Sequence, residues 1–192
     1  STGLLTLTVP SSWLQAATFP VLIDPEFGYH TIGGTTDATQ NFALACQYQF
    51  TGTTGNVLTE IGIYVGTNAD AGTYRAAIYS DSSNLPNAKL EEATFTRTTS
   101  AWNVVPMAST TSLTNGTLYW LVTCPTAAVT NFDTKYDADA SPILAYHDQR
   151  GIYTLPATWA VVPPEDGTIS RKASFYGTYT ASGGTRRRIV MT

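Results

Sequence analysis

Two neighbouring stretches fix the class of fold. Phe42, Leu44, Cys46, Tyr48 and Phe50 recur at every second position, with Ala43, Ala45, Gln47 and Gln49 between them. After a turn over 51–56, Val57, Thr59, Ile61, Ile63 and Val65 repeat the period. A period of two puts successive side chains on opposite faces of a pleated strand; the apolar stripe of a helix needs a different spacing. The pattern returns at Tyr74, Ala76 and Ile78, at Leu118, Trp120, Val122 and Cys124, and at Ala173, Phe175, Gly177 and Tyr179. Shorter strands are expected over 89–95, 102–107 and 143–147, the second weakened by Pro106. Asn115-Gly116 is a strong turn signal. The segments 28–41, 81–87, 126–141 and 149–166 read as loops. Strands of this length between turns make a β-sandwich or a barrel, and α/β folds are excluded by the lack of any helical segment longer than one turn.

Composition enters at the question of surface and partner. Only 12% of the 192 residues are charged, about half the usual share, so polar surface comes mainly from Thr, Ser, Asn and Gln. Hydroxyl-rich strands can pack between subunits without burying charge. The net charge of −4 argues against nucleic acid, which requires a basic face. The sequence has no apolar run long enough to span a membrane. Ser1 at the start suggests a processed product or a domain of something longer.

The first 25 residues stand apart from the strand series. Leu5, Leu7 and Val9 alternate until Pro10. Ser12 and Gln15 form a capping box for one helical turn over 13–17. Phe19, Val21 and Ile23 alternate again, and Asp24-Pro25 makes a corner. We therefore divide the chain into an arm or joint (1–25), a β-sandwich (26–181) and a C-terminal basic tail (182–192). Trp13 and Phe19 are expected to plug apolar surface between arm and sandwich. Arg186, Arg187 and Arg188 form either a solvated tail or a docking patch for an acidic neighbour or for nucleic acid.

Two parts of the chain resemble known proteins. Trp13-Leu14, Phe19-Pro20-Val21 and Ile23-Asp24-Pro25 resemble a joint of long multidomain surface proteins, found in virion structural proteins of tailed bacteriophages and in secreted YD-repeat proteins. Glu60-Ile-Gly-Ile-Tyr-Val65, Tyr74-Arg-Ala-Ala-Ile-Tyr-Ser-Asp81 with Leu85-Pro86, Leu113-Thr-Asn-Gly-Thr-Leu-Tyr-Trp-Leu121 and Phe175-Tyr-Gly-Thr-Tyr179 resemble the jelly-roll modules that follow such joints. The resemblance implies an all-β, jelly-roll-like antiparallel sandwich with an N-terminal strand-turn-strand arm. It implies a phage or cell-surface appendage, such as a tail fibre, decoration or adhesion module, and we expect its partners to be copies of itself, other virion proteins or a host-surface glycan. It carries no catalytic signature.

The residues offer several constellations. Cys46 and Cys124 fall on strand faces expected to point inward, which leaves one disulfide or two buried thiols. His30 and His147 have no second His or Cys at ligand spacing, so hydrogen bonding explains them. The acids Glu26, Glu60, Glu91, Glu92 and Glu165 are scattered in sequence, without the frame of a glycosidase pair. No nucleophile elbow, zinc-protease or phosphate-loop motif is present, so the reading is not an enzyme. Asp133, Asp137 and Asp139 put three carboxylates in one predicted loop, which suits calcium or a solvated acidic loop; calcium is the only cofactor in view. Tyr136, Tyr146, Tyr153 and Trp159 flank long loops beside Asp148, Gln149 and Arg150. Such rings either take the apolar face of a sugar or fold back and cap the core. Asn115-Gly-Thr117 is a sequon that matters only where the source glycosylates.

The expectation is a non-enzymatic structural, decoration or adhesion protein on the outside of a phage virion. The alternative is a carbohydrate-binding module of a secreted, extracellular cell-surface protein.

Overall fold

The computed structural model describes residues 25–39, 41–138, 144–148, 153–159 and 166–180, with the backbone alone at 38–39, 144–148 and 166–169. Among these the chain is all-β. Thirteen strands run in order: β1 (Glu26–Gly28), β2 (Thr35–Thr39), β3 (Ala43–Gln49), β4 (Asn56–Val65), β5 (Thr73–Ser82), β6 (Leu85–Thr96), β7 (Ala101–Pro106), β8 (Ser112–Leu113), β9 (Leu118–Pro125), β10 (Phe132–Ala138), β11 (Leu144–Asp148), β12 (Asp166–Ala173) and β13 (Phe175–Thr180). The arm expected over 1–25 lies outside the described residues except for Pro25, as does the basic tail.

The strands form two antiparallel sheets packed as a sandwich. Sheet B runs β6-β5-β9-β3-β11-β12. Sheet A is centred on β4, with β13 and then β1 on one side, β7 and β8 on the other, and β10 and β2 beyond its end. Most connections pass from one sheet to the other. One strand belongs to both sheets: β12 pairs with β11 over 166–170 and with β10 over 171–173. The single strand expected over 169–180 is thus broken at the buried Ser174, whose backbone bonds Tyr64 and Lys135 at the corner.

The main core lies between the sheets. Leu44, Cys46, Tyr48, Tyr74, Ala76, Ile78 and Leu121 of sheet B meet Leu58, Ile61, Ile63, Val65, Phe132, Phe175 and Tyr179 across it. One face assignment fails on β4. Glu60 opposes Thr178 and Leu58 opposes Tyr179, so Thr59 is the extra residue of a β-bulge. The bulge resets the alternation, so Leu58 joins Ile61 in the core in place of Val57 and Thr59.

A second core lies on the outer face of sheet B. Ala43, Ala45, Ala77, Tyr79, Trp120, Val122 and Cys124 are covered there by Leu155 and Trp159. Trp120, Val122 and Cys124 do share a face, as their spacing requires, but it is this outer one. The reason is that β9 is apolar on both sides, and alternation alone does not say which side meets which layer.

Three expected loops contain strands. The segment 28–41 holds β2, and 126–141 holds β10, a strand whose polar alternation hides it. The loop expected over 81–87 is a tight turn: Ser82 pairs with Leu85, and Ser83 and Asn84 both take positive φ, as a type I′ hairpin demands.

Candidate functional site

The outer face of sheet A is built differently. On β4, Ile61, Ile63 and Val65 point into the core, so Gly62 and Tyr64 point out. On β13, Phe175 and Tyr179 point in, so Tyr176 and Thr178 point out. On β7, Val105 points in and Trp102 and Val104 point out. Register brings these together. Tyr64 lies opposite Trp102, and Gly62 lies between Val104 and Tyr176. One step along, Thr178 lies between Glu60 on β4 and Glu26 on β1.

Rings fill this face. A Cβ on Gly62 would run into the Tyr176 ring, so the ring lies directly over the glycine backbone. His30 stacks on Tyr176, with centroids 4.0 Å apart and planes at 29°. Trp102 stands across all its neighbours, 4.8 Å from His30 at 85°, 5.0 Å from Tyr176 at 67° and 5.6 Å from Tyr64 at 76°. Tyr176 is thereby buried, while Trp102 and Tyr64 are half-buried and Val104 is 46% exposed.

Carboxylates border the rings. Glu26 meets His30 Nδ1 at 2.8 Å, and both side chains are 42% exposed. Thr178 donates its hydroxyl to Glu60 Oε2 at 3.3 Å. Burial, and then the charges of Glu26 and Glu60, raise the Tyr176 hydroxyl above the ordinary tyrosine range, so the ring stays neutral. The arrangement offers apolar ring surface beside acceptor-only groups. It shows no nucleophile held by a base, and among the described residues no three His, Cys, Asp or Glu side chains converge on a metal position.

The structure scatters Tyr136, Tyr146, Tyr153 and Trp159, the rings that the sequence offers as a sugar site. Trp159 is buried, edge-on to Tyr79 at 5.2 Å, where it seals sheet B. Tyr153 is half-buried in the same cover, and its carbonyl accepts a bond from Arg75 Nε at 2.8 Å. Tyr136 sits on β10 in sheet A beneath the Arg171 guanidinium, 4.2 Å from its ring centre. Tyr146 pairs with Ala45, and Asp148 with Ala43, in the β3–β11 ladder. Gln149 and Arg150 lie outside the described residues.

The acidic set is also divided. Asp133 is buried and accepts the Asn68 amide at 3.1 Å. Asp137 accepts the Tyr29 hydroxyl and the Gly34 amide, the latter at 2.7 Å, and these bonds lower its pKa in that order of weight. Four residues apart on one strand, their Cα atoms are separated by about 13 Å, too far to share one calcium through two such engaged carboxylates. Asp139, Trp13, Phe19, Arg186, Arg187 and Arg188 lie outside the described residues. The sequon Asn115 spends its side-chain amide on the carbonyls of Thr51 and Gly52, at 3.0 and 2.6 Å.

The rings over sheet A carried one sequence signal. Tyr64 and Tyr176 occupy outward positions of strands whose inward positions are apolar. An aromatic there has no core to fill. Placing Trp102, His30, Glu26 and Glu60 beside them required the strand order. No protein-family model matches the chain, and no curated protein matches it closely enough to mark a relative.

Proposed function

We propose that the chain is a non-enzymatic structural and adhesion module carried on the outside of a virion, that of a tailed phage by the resemblance of its joint and body. The observation that carries this reading is the asymmetry of the two outer faces. Sheet B is sealed by the chain's own Leu155 and Trp159, whereas sheet A keeps Trp102 and Tyr64 half-exposed beside Glu26 and Glu60. A body with one sealed face and one ring-bearing face suits display in a fixed orientation. The described edge of sheet B also supports assembly by some route other than strand addition. There β6 carries Pro86, Lys89 and a bulge at Leu90, and Ala88 is bridged by Thr158. No helix among the described residues is long and apolar enough to cross a membrane.

Assembly then runs through the arm. Deleting residues 1–24 is expected to release a folded monomer, read as mass by light scattering after size exclusion; a truncated protein that assembles like the full chain sinks the proposal. The ring-bearing face equally favours a carbohydrate-binding module of a secreted cell-surface protein. Antibody labelling of purified particles separates the two, since only the first reading puts the chain on them.

A further inference from the structure

We propose that the outer face of sheet A is a binding site for a neutral oligosaccharide, with Trp102 and Tyr64 as ring platform and Glu26 and Glu60 as hydroxyl acceptors. The inference rests on the adhesion reading and names the ligand class of that face.

A pyranose has an apolar C–H face and a rim of hydroxyls. The site offers a match to each. Trp102 stands at 67° to the buried Tyr176 ring and at 76° to Tyr64, which makes a corner of aromatic surface. Val104, opposite Gly62 in the ladder and 46% exposed, extends the apolar side of that corner. Glu26 and Glu60 flank Thr178 on neighbouring strands, so their Cα atoms lie roughly 10 Å apart across the sheet. A carboxylate only accepts hydrogen bonds, and a sugar rim supplies donors. Glu60 engages Thr178 through Oε2, and its carboxylate has capacity for a further donor.

Other occupants fit less well. The centre of a protein interface is depleted in carboxylates, and here two lie within the patch. Anionic sugars would meet those same carboxylates on a chain of net charge −4. The chain covers its other outer face with its own Trp159 but leaves Trp102 half-exposed.

The test is an array of neutral and acidic oligosaccharides probed with the full chain, followed by calorimetric titration of the best neutral hit. Wild type is expected to bind at least one neutral oligosaccharide and no uronic or sialic acid. Trp102→Ala is expected to weaken binding roughly tenfold or more. Glu60→Gln, which keeps the shape of the side chain, guards against a folding artefact and should also weaken it. Tyr153→Ala, on the far side of the sandwich, should bind as wild type does. Absence of any neutral hit, binding confined to acidic sugars, or equal binding by Trp102→Ala and Glu60→Gln would overturn the proposal. So would a fall in assembly mass with Trp102→Ala, which would make this face a contact between copies. Mass measured on the same preparations keeps the two readings apart: an arm-dependent assembly that binds no glycan defeats the sugar site alone.

Discussion

Cys46 and Cys124 lie on adjacent strands and cannot meet. In the β3–β9 ladder Cys46 opposes Leu121, and Cys124 lies three positions further on, so the two thiols occupy opposite faces of sheet B. Both are buried thiols outside any disulfide. Cys46 receives the Ala173 amide on Sγ at 3.3 Å, and burial pushes its thiol from 9.0 up to about 11. Both thiols are therefore expected to resist an aromatic disulfide reagent in the native protein and to react fully in denaturant, with identical mobility on reducing and non-reducing gels. Because the folded pKa of Cys46 is raised, its contribution to stability is complete below pH 9.0 and lost as pH rises toward about 11. A thiol that reacts at neutral pH without unfolding would contradict this placement.

Other residues were legible only in part. Alternation identified the face shared by Leu44, Cys46 and Tyr48 and that shared by Tyr74, Ala76 and Ile78. It failed at Val57 and Thr59, because a bulge is a property of the pair of strands and depends on what β13 presents across the ladder. At Gly177 the reason for a glycine becomes visible only in the fold: a Cβ there would meet the Phe27 ring at 2.7 Å and Leu58 at 3.0 Å.

Among the elements, the segment 153–159 has the clearest structural role. It crosses the outer face of sheet B. Lys89 and Trp159 bond through their amides to Ala157 and Asn87, and the Tyr79 hydroxyl donates to the Pro156 carbonyl at 2.6 Å. Arg75 and Lys89 both reach Glu92, while the Lys89 ammonium also donates to the Leu155 carbonyl at 2.8 Å. These bonds hold Leu155 and Trp159 on the second core. Trp159→Ala should cost about 3–5 kcal/mol, the usual loss for a buried large aromatic, and expose Tyr79 and Trp120. Denaturant titration of the variant reads that loss directly; a change under 1 kcal/mol would mean the segment is not part of the stable body. The sequence named both readings of these rings, sugar platform and core cap. Trp159 lies buried in the cover over sheet B, a matter of which sheet face the returning chain crosses.

At the scale of the molecule, β12 ties the two sheets into one unit, and β3, β5 and β9 contribute to both cores. Neither core can be exposed without breaking strands that carry the other. Unfolding in urea should therefore show one transition, with coincident midpoints for tryptophan emission near the second core and for amide exchange in sheet A. Separate midpoints would show that sheet A or the 153–159 cover opens alone.

The sequence by itself determined the β class, the turn positions and which side chains of a regular strand share a face, because those follow from a period of two and from turn chemistry between near neighbours. Tertiary structure alone decided which apolar face met which layer, that polar β10 is a strand, and that two thiols on neighbouring strands point apart. It also gathered His30, Tyr64, Trp102 and Tyr176 with Glu26 and Glu60 on one face. These residues come from four separate parts of the chain, and their neighbourhood is set by strand order and register, long-range pairings that local periodicity does not encode.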